Sequence, residues 1–403
     1  MRHGYFLSCS GEVIDEVLAV FMPAGRSYTG LDQAEVFCHG GRQVVRLVLD
    51  EILSAGARPA EPGEFTKLAF LNGRIDLSRA EAVAELIAAS TETSYRAGRE
   101  HLLGSYSGYV EQLRGELLTA LADIEAAIDF SEEDTGPVDL GKVQTQLKSI
   151  GFKVEQLAAS YRGGRIIREG FRIAICGRPN AGKSSLFNLL LEQERALVDP
   201  EAGTTRDYLS EWIDLDGFAV NLVDTAGLRE SSDRVERKGQ SKAKEIIENA
   251  DLVLWLADVS LPEWQANLAD DIRDIGDKRN MLVGNKIDLC SQHQEALPEE
   301  IYPLSCVTRD GLERIRKQIL NIINVEAPDL TSGQVVTSAR HKHCLDLATG
   351  AINRAQTGAA GGESVEILAF ELREAADHLG EITGQVYTEE ILGEIFSRFC
   401  VGK

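Results

Sequence analysis

The stretch Gly177-Arg178-Pro179-Asn180-Ala181-Gly182-Lys183-Ser184-Ser185 has the spacing of a phosphate-binding loop and sits where such a loop belongs, between a strand and a helix. Before it, Phe171-Arg172-Ile173-Ala174-Ile175-Cys176 reads as a short buried strand, and after it Ser185 to Leu191 reads as an opening helix. The glycines let backbone N–H groups turn onto phosphates, Lys183 reaches the terminal phosphates, and the Ser184 hydroxyl offers a ligand to Mg²⁺. A nucleoside triphosphate is therefore the expected ligand, with Asn180, Ala181, Gly182 and Ser185 completing the loop around it.

Further motifs follow in the order and at the distances a GTPase needs. Asp224-Thr225-Ala226-Gly227 comes after the apolar strand Ala219 to Val223, which brings a carboxylate to the Mg²⁺ shell and a glycine amide near the third phosphate. Asn285-Lys286-Ile287-Asp288 comes after the apolar run Met281-Leu282-Val283. Asp288 would accept hydrogen bonds from N1 and the exocyclic amine of guanine, a pairing adenine lacks. Ser305-Cys306-Val307 follows the strand Ile301 to Leu304 and would supply a backbone contact to the base. In Gly203-Thr204-Thr205-Arg206-Asp207, Thr205 would complete Mg²⁺ coordination when the third phosphate is present.

Leu228 stands where signalling GTPases carry the glutamine that orients the attacking water, and a leucine cannot do that work. Hydrolysis then needs another water-positioner, for which Glu236 is the candidate. It also needs another positive charge, from Arg229, Arg206 or a bound monovalent cation.

With 403 residues the chain has room for two to four domains. Its formal net charge of −22 argues against a broad electrostatic hold on nucleic acid, so RNA contacts must be local or shared with a more basic partner. The 7 cysteines show no CxxC pair, which fits reduced thiols in a cytoplasmic protein. His341-Lys342-His343-Cys344 reads as helix surface rather than a metal site, and no apolar run is long enough to span a membrane. An organellar home stays open, although no Arg/Ser-rich transit segment is present.

Hydrophobic period divides the rest. Residues 1–72 read as a small α/β domain, with an alternating run from Val13 to Phe21, a second from Ala34 to Cys38, and a helix from about Gln43 to Ala55. Residues 73–166 turn helical: Tyr106, Val110, Leu113, Leu117, Leu121, Ile124 and Ile128 recur at threes and fours, as do Val143, Leu147, Ile150, Val154, Leu157 and Tyr161. After a GTPase domain at 167–325 the helical period returns in 326–403, at Val365, Leu368, Leu372, Ala375, Leu379 and Ile382. Two flanking sets of striped helices bury their stripes most economically against each other, so a Ras-like P-loop domain inserted into an all-α bundle is expected. Within it, Asp216-Gly217 marks a hairpin that would put an antiparallel edge strand on a parallel sheet.

The chain resembles the tRNA-modifying MnmE/TrmE GTPases over essentially its whole length. The resemblance is carried by Gly177 to Ser185, Gly203 to Asp207, Asp224 to Arg229, Pro62-Gly63-Glu64-Phe65 with Ala69-Phe70-Leu71-Asn72, and above all the terminal Phe399-Cys400-Val401-Gly402-Lys403, which Era-like GTPases lack. It implies a homodimer with a folate-binding N-terminal domain that takes formyl- or methylene-tetrahydrofolate. It also implies action with the FAD-dependent protein GidA (MnmG), as a heterotetramer, on carbon five of the wobble uridine of certain tRNAs. For the site it implies potassium held by Asn180 and carbonyls near Asp199 and Glu201 with Thr204 in the same loop, Mg²⁺ on Ser184 and Thr205, and the hydrolytic water on Glu236. Folate would meet Glu35, Arg74 and Lys403, and Cys400 would be the thiol implicated in modification.

The family is already about 45 residues in where this chain begins, which weakens the folate and dimer expectations relative to GTP hydrolysis. Arg74 stands where the family usually has lysine, and Leu31 replaces a customary acidic residue. Two other readings are an Era-like ribosome-assembly switch, disfavoured because 326–403 is acidic and helical rather than a basic RNA module, and a scaffold whose GTP site is structural.

Overall fold

The alternating N-terminal runs pair as a small sheet. The computed structural model describes residues 1–129, 140–197, 209–225, 244–290, 297–327, 333–399 and 402. β1 (Arg2–Leu7), β2 (Val13–Met22) and β3 (Gln33–Phe37) are antiparallel neighbours in that order, and α1 (Arg42–Ser54) packs on β2. Helices α2 (Glu64–Leu71), α3 (Leu77–Ala88), α4 (Glu92–Leu103), α5 (Ser105–Asp129), α6 (Leu140–Ala159) and α7 (Tyr161–Glu169) follow. The chain divides into two units: Met1–Ala84 with His101–Phe152 and Leu347–Lys403, and Glu85–Glu100 with Lys153–Asp346.

In the second unit the apolar run before the phosphate loop is β4 (Phe171–Gly177), at the centre of a seven-stranded sheet. After it come α8 (Lys183–Gln193), β5 (Arg195–Ala196), β6 (Leu209–Leu215), β7 (Phe218–Asp224), β8 (Leu252–Asp258), α9 (Trp264–Ile275), β9 (Asn280–Asn285), β10 (Ile301–Leu304) and α10 (Leu312–Glu326). The strand order is β10-β9-β8-β4-β7-β6-β5, with parallel pairing from β10 to β7 and antiparallel pairing beyond. The Asp216-Gly217 hairpin joins β6 to β7 as expected, but β6 is not the edge: the two-residue β5 pairs outside it. So short a strand carries no period for a sequence reading to detect. Fully buried Phe171, Ile173 and Ile175 on β4, Leu252 and Leu254 on β8, and Leu186 on α8 form the core beneath the phosphate loop.

Segment 333–338 of this unit lies against α7. A Cβ at Gly164 would sit 2.0 Å from the Val336 carbonyl oxygen, and the Ser160 hydroxyl accepts a hydrogen bond from Val336 N at 3.0 Å. Gly164→Ala must push that backbone away, so it is expected to lower the Tm of the full chain by about 5 °C or more in a thermal melt. A change within 1 °C, taken as roughly the scatter of such a melt, would show that the approach is not under tension.

Helix α11 (Ala339–Gly361) begins in the second unit and passes into the first at Leu347, where α12 (Val365–Thr383) and α13 (Glu389–Ser397) complete the helices. The stripe on α5 from Tyr106 to Ile124 and the stripe on α12 from Leu368 to Ile382 are buried, and the two helices pack together. Polar contacts fix their register: Arg114 Nε donates to the Ala376 carbonyl at 3.2 Å, Arg373 pairs with Glu125, and the Thr383 hydroxyl donates to Glu111. Ile128, expected on the same stripe, is 38% exposed.

Helix α13 is capped by Thr388, whose side chain accepts from Ile391 N, and carries Glu389 and Glu390 in its first turn, where carboxylates favour the helix dipole. Its Leu392, Ile395 and Phe396, with Phe399, bury against Phe70, Leu77 and Ala80. Gly63 takes a left-handed φ of 66°, and a Cβ there would lie 3.0 Å from Phe396 O and Phe399 Cβ.

The expectation that His341 to Cys344 form helix surface is corrected. His341 and Cys344 are buried in α11, and only the intervening Lys342 and His343 lie toward solvent. A four-residue window spans one helical turn, so it cannot be all surface when its helix packs on one side. Among the described residues no helix is long and apolar enough to cross a membrane.

Candidate nucleotide-binding site

The site gathers at the carboxyl ends of β4, β7, β9 and β10, where open α/β sheets bind ligands. Helix α8 starts at Lys183, two residues before the expected Ser185, because Gly182 at φ 101° turns the chain into it. Gly182 is tightly enclosed: a Cβ there would meet Asn285 Nδ2 at 2.1 Å. Gly177 likewise has φ 136°, and a Cβ would lie 2.3 Å from Leu256 O. Any other residue would be strained at either φ, and at Gly177 its Cβ would strike backbone.

Lys183 is buried, and its ammonium donates to the carbonyls of Gly177 at 3.1 Å and Arg178 at 2.9 Å. The charge thus lies within the loop, held by its first two residues. Ser184 Oγ donates to Asp224 Oδ2 at 2.7 Å, so the hydroxyl from the loop and the carboxylate from β7 are already side by side. These two oxygens suit a hard divalent cation such as Mg²⁺. Asp224 is fully buried, and Thr225 beside it is fixed by its hydroxyl donating to Ile175 O at 2.9 Å. Asn180 holds a left-handed φ of 63° at the exposed crest of the loop, and Ser185 is exposed on α8.

The motif expected to recognise the base is tied directly to the expected phosphate loop. Buried Asn285 donates through Nδ2 to the Ala181 carbonyl at 2.8 Å and accepts through Oδ1 from Cys306 N at 3.2 Å. One side chain therefore joins three of the expected motifs. Lys286 has a left-handed φ of 69° and leads into the single 3₁₀ turn Ile287–Leu289, which presents Asp288 to solvent. Ser305 is buried, and its hydroxyl accepts from Val307 N at 3.3 Å and Thr308 N at 3.1 Å, which closes the loop that displays Cys306 and the exposed Val307. Burial pushes the Cys306 thiol up to about 11, so it is a poor nucleophile.

Sequence reading missed two contacts. Arg178 of the loop reaches α9, donating to Asp271 at 3.0 Å and to Asn267 Oδ1 at 2.6 Å, and Asp271 also accepts from Trp255 Nε1 at 3.2 Å. Lys286 Nζ pairs with Asp258 Oδ2 at 2.6 Å. Only the Asp-x-Ser ending of the apolar β8 run hinted at the second contact.

In the other unit, Glu35 on β3 accepts from Gln33 Nε2 at 3.0 Å, and the exposed Arg74 donates to Gly25 O at 3.1 Å in the loop before β3. Asp199, Glu201, Thr204, Thr205, Arg206, Ala226, Gly227, Leu228, Arg229, Glu236, Cys400 and Lys403 lie outside the described residues.

Residues 77–400 match the family described as MnmE helical domain, and residues 1–74 match the one described as GTP-binding protein TrmE N-terminus. The chain is 43% identical over 394 residues to the tRNA modification GTPase MnmE of Akkermansia muciniphila, covering 98% of this chain and 87% of that protein. It is 41% identical to that of Aquifex aeolicus, covering 99% and 89%. Among solved structures it is similar to Aquifex aeolicus Era bound to GDP and AlF4⁻, at 26% identity and TM-score 0.32 over 45% of this chain and 66% of that one. It is also similar to the G domain of the T. maritima FeoB iron transporter, at 27% identity and TM-score 0.28 over 38% and 99%. With both family matches and near full-length relatives in agreement, the chain belongs to the MnmE family of tRNA modification GTPases.

Proposed function

We propose that this chain binds and hydrolyses GTP and that turnover drives the modification of carbon five of the wobble uridine in certain tRNAs, together with the FAD-dependent protein GidA (MnmG). The observation that carries the GTPase reading is the Asn285 bridge, which ties the phosphate loop at Ala181 to the base loop at Cys306 in one hydrogen-bonded unit. Preorganised contacts of this kind need not be rebuilt when the nucleotide enters. Lys183 neutralises charge on the terminal phosphates, and Asp288 accepts from the guanine edge. Ser184 and Asp224, with Thr205, hold Mg²⁺, which offsets the charge that develops on the transferred phosphoryl group.

The finer reading is a G domain inserted between two sets of helices, acting as a cytoplasmic homodimer and a heterotetramer with its flavin partner. Asn180 and the backbone near Asp199, Glu201 and Thr204 hold potassium, which replaces an arginine finger, and Glu236 orients the water in place of the leucine at 228. Tetrahydrofolate meets Glu35, Arg74 and Lys403, and the Cys400 thiol serves the modification chemistry. The exposed position of Asn180, in a turn outside any helix or strand, supports the potassium assignment.

Steady-state GTP hydrolysis in matched KCl and NaCl tests this reading, with Asn180→Ala and Glu236→Ala beside the parent. Activation by KCl of about tenfold or more, lost in Asn180→Ala, is expected. Equal rates in the two salts would overturn the potassium mechanism and return the missing charge to Arg206 or Arg229.

A further inference from the structure

We propose that Asp258 is a positioning residue for guanine recognition: by tethering Lys286 it holds the left-handed turn that presents Asp288 in its receptive shape. The inference rests on the reading of Asp288 as the guanine acceptor. Asp258 closes β8 directly opposite Asn285 in the parallel register with β9, so it stands beside the start of the base-recognition motif. One carboxylate oxygen, Oδ2, takes the Lys286 ammonium at 2.6 Å. The other, Oδ1, accepts from Ser260 N at 3.1 Å and Ser260 Oγ at 2.5 Å, so the carboxylate is itself fixed. The backbone is pinned at the same level, since Val259 N donates to Asn285 O at 3.1 Å.

The tether matters because of what Lys286 must do with its backbone. Its φ of 69° is unfavourable for a residue with a Cβ, and the turn Ile287–Leu289 that carries Asp288 begins there. Such a conformation persists only when its surroundings over-determine it. On the motif's first residue this is done by the two contacts of the Asn285 side chain, and on its second by Asp258. The Asp258 side chain is only 12% exposed and that of Lys286 30%, so the pair is partly shielded from the screening that weakens surface ion pairs. Burial alone would raise the Asp258 carboxyl, but the Lys286 and Ser260 hydrogen bonds outweigh it and hold it below the usual range, so the carboxylate facing Lys286 is ionised at neutral pH. The Lys286 charge meets this carboxylate, and the contact fixes the residue from which the Asp288 turn starts.

The test uses the full chain and fluorescent GDP and IDP. Hypoxanthine lacks the exocyclic amine that Asp288 would accept from, so the ratio of the two affinities reads the aim of Asp288 and not fold integrity. Asp258→Asn is expected to weaken GDP binding about tenfold, the loss of one charge-assisted contact, and to shrink the GDP/IDP ratio in step. Asp258→Glu, which keeps the charge, is expected to restore part of the ratio. Because Asp258 acts through Lys286, the double variant Asp258→Asn with Lys286→Met is expected to be no worse than the poorer single one. Additive losses, or a weakened Asp258→Asn with the parent's GDP/IDP ratio intact, would overturn the proposal while leaving Asp288 as the acceptor. A parent chain that binds GDP and IDP equally would overturn the guanine reading and this inference with it.

Discussion

Lys183→Ala is expected to reduce kcat/KM for GTP by about 10³-fold or more, the largest single loss available in the site. The Lys183 ammonium sits buried at the heart of the loop and is held by the Gly177 and Arg178 carbonyls. Without it those two carbonyl oxygens would face the phosphates with no cation between them, so attraction is replaced by repulsion in a site shielded from water. Lys183→Arg should not rescue, because a planar guanidinium cannot occupy a position shaped for a compact ammonium within 3.1 Å of both carbonyls. Phosphate release measured over a series of GTP concentrations from well below to above KM checks both variants. Activity within tenfold of the parent in Lys183→Ala would remove the lysine from the phosphate site.

The second large effect is a change of base. Asp288→Asn is expected to lower GDP affinity on the order of 10²-fold and to raise affinity for XDP. The sign follows from donors and acceptors. A carboxylate accepts from both N1–H and the exocyclic amine of guanine, whereas an asparagine amide accepts once and donates once, which suits N1–H and the 2-oxygen of xanthine. The exposure of Asp288 keeps the expected factor below that of a fully enclosed site. Titration of the parent and the variant with GDP and XDP measures both shifts, and an unchanged GDP/XDP preference would place base recognition elsewhere.

The fold was legible wherever a period ran long enough. The stripes of Tyr106 to Ile124 and Leu368 to Ile382 repeat over several turns, and both became buried faces of packed helices. The Asp216-Gly217 turn announced its hairpin because that dipeptide tolerates the positive φ the turn requires, 49° and 88° here. Short features escaped. The two-residue β5 has no pattern to read, and the burial of His341 and Cys344 depends on what packs against α11 rather than on their neighbours in sequence.

For the site, residue types and spacings pointed to the motifs but not to the bonds among them. That Asn285 reaches back 104 positions to Ala181, that Arg178 ties the loop to α9, and that Asp258 holds Lys286 are consequences of strand order. Long-range contacts of this kind arise from β4, β8 and β9 lying side by side, and no local window of sequence contains them.

On the proposed reading, the loop from Gly177 to Ser185 and the turn at Asp288 form one guanine-specific hydrolytic site. Steady-state phosphate release from GTP and from ATP, measured side by side on the full chain with Mg²⁺ in KCl, tests it most directly. Turnover of GTP is expected, with kcat/KM for ATP lower by about 100-fold or more. Equal turnover of the two nucleotides, or of neither, would contradict it.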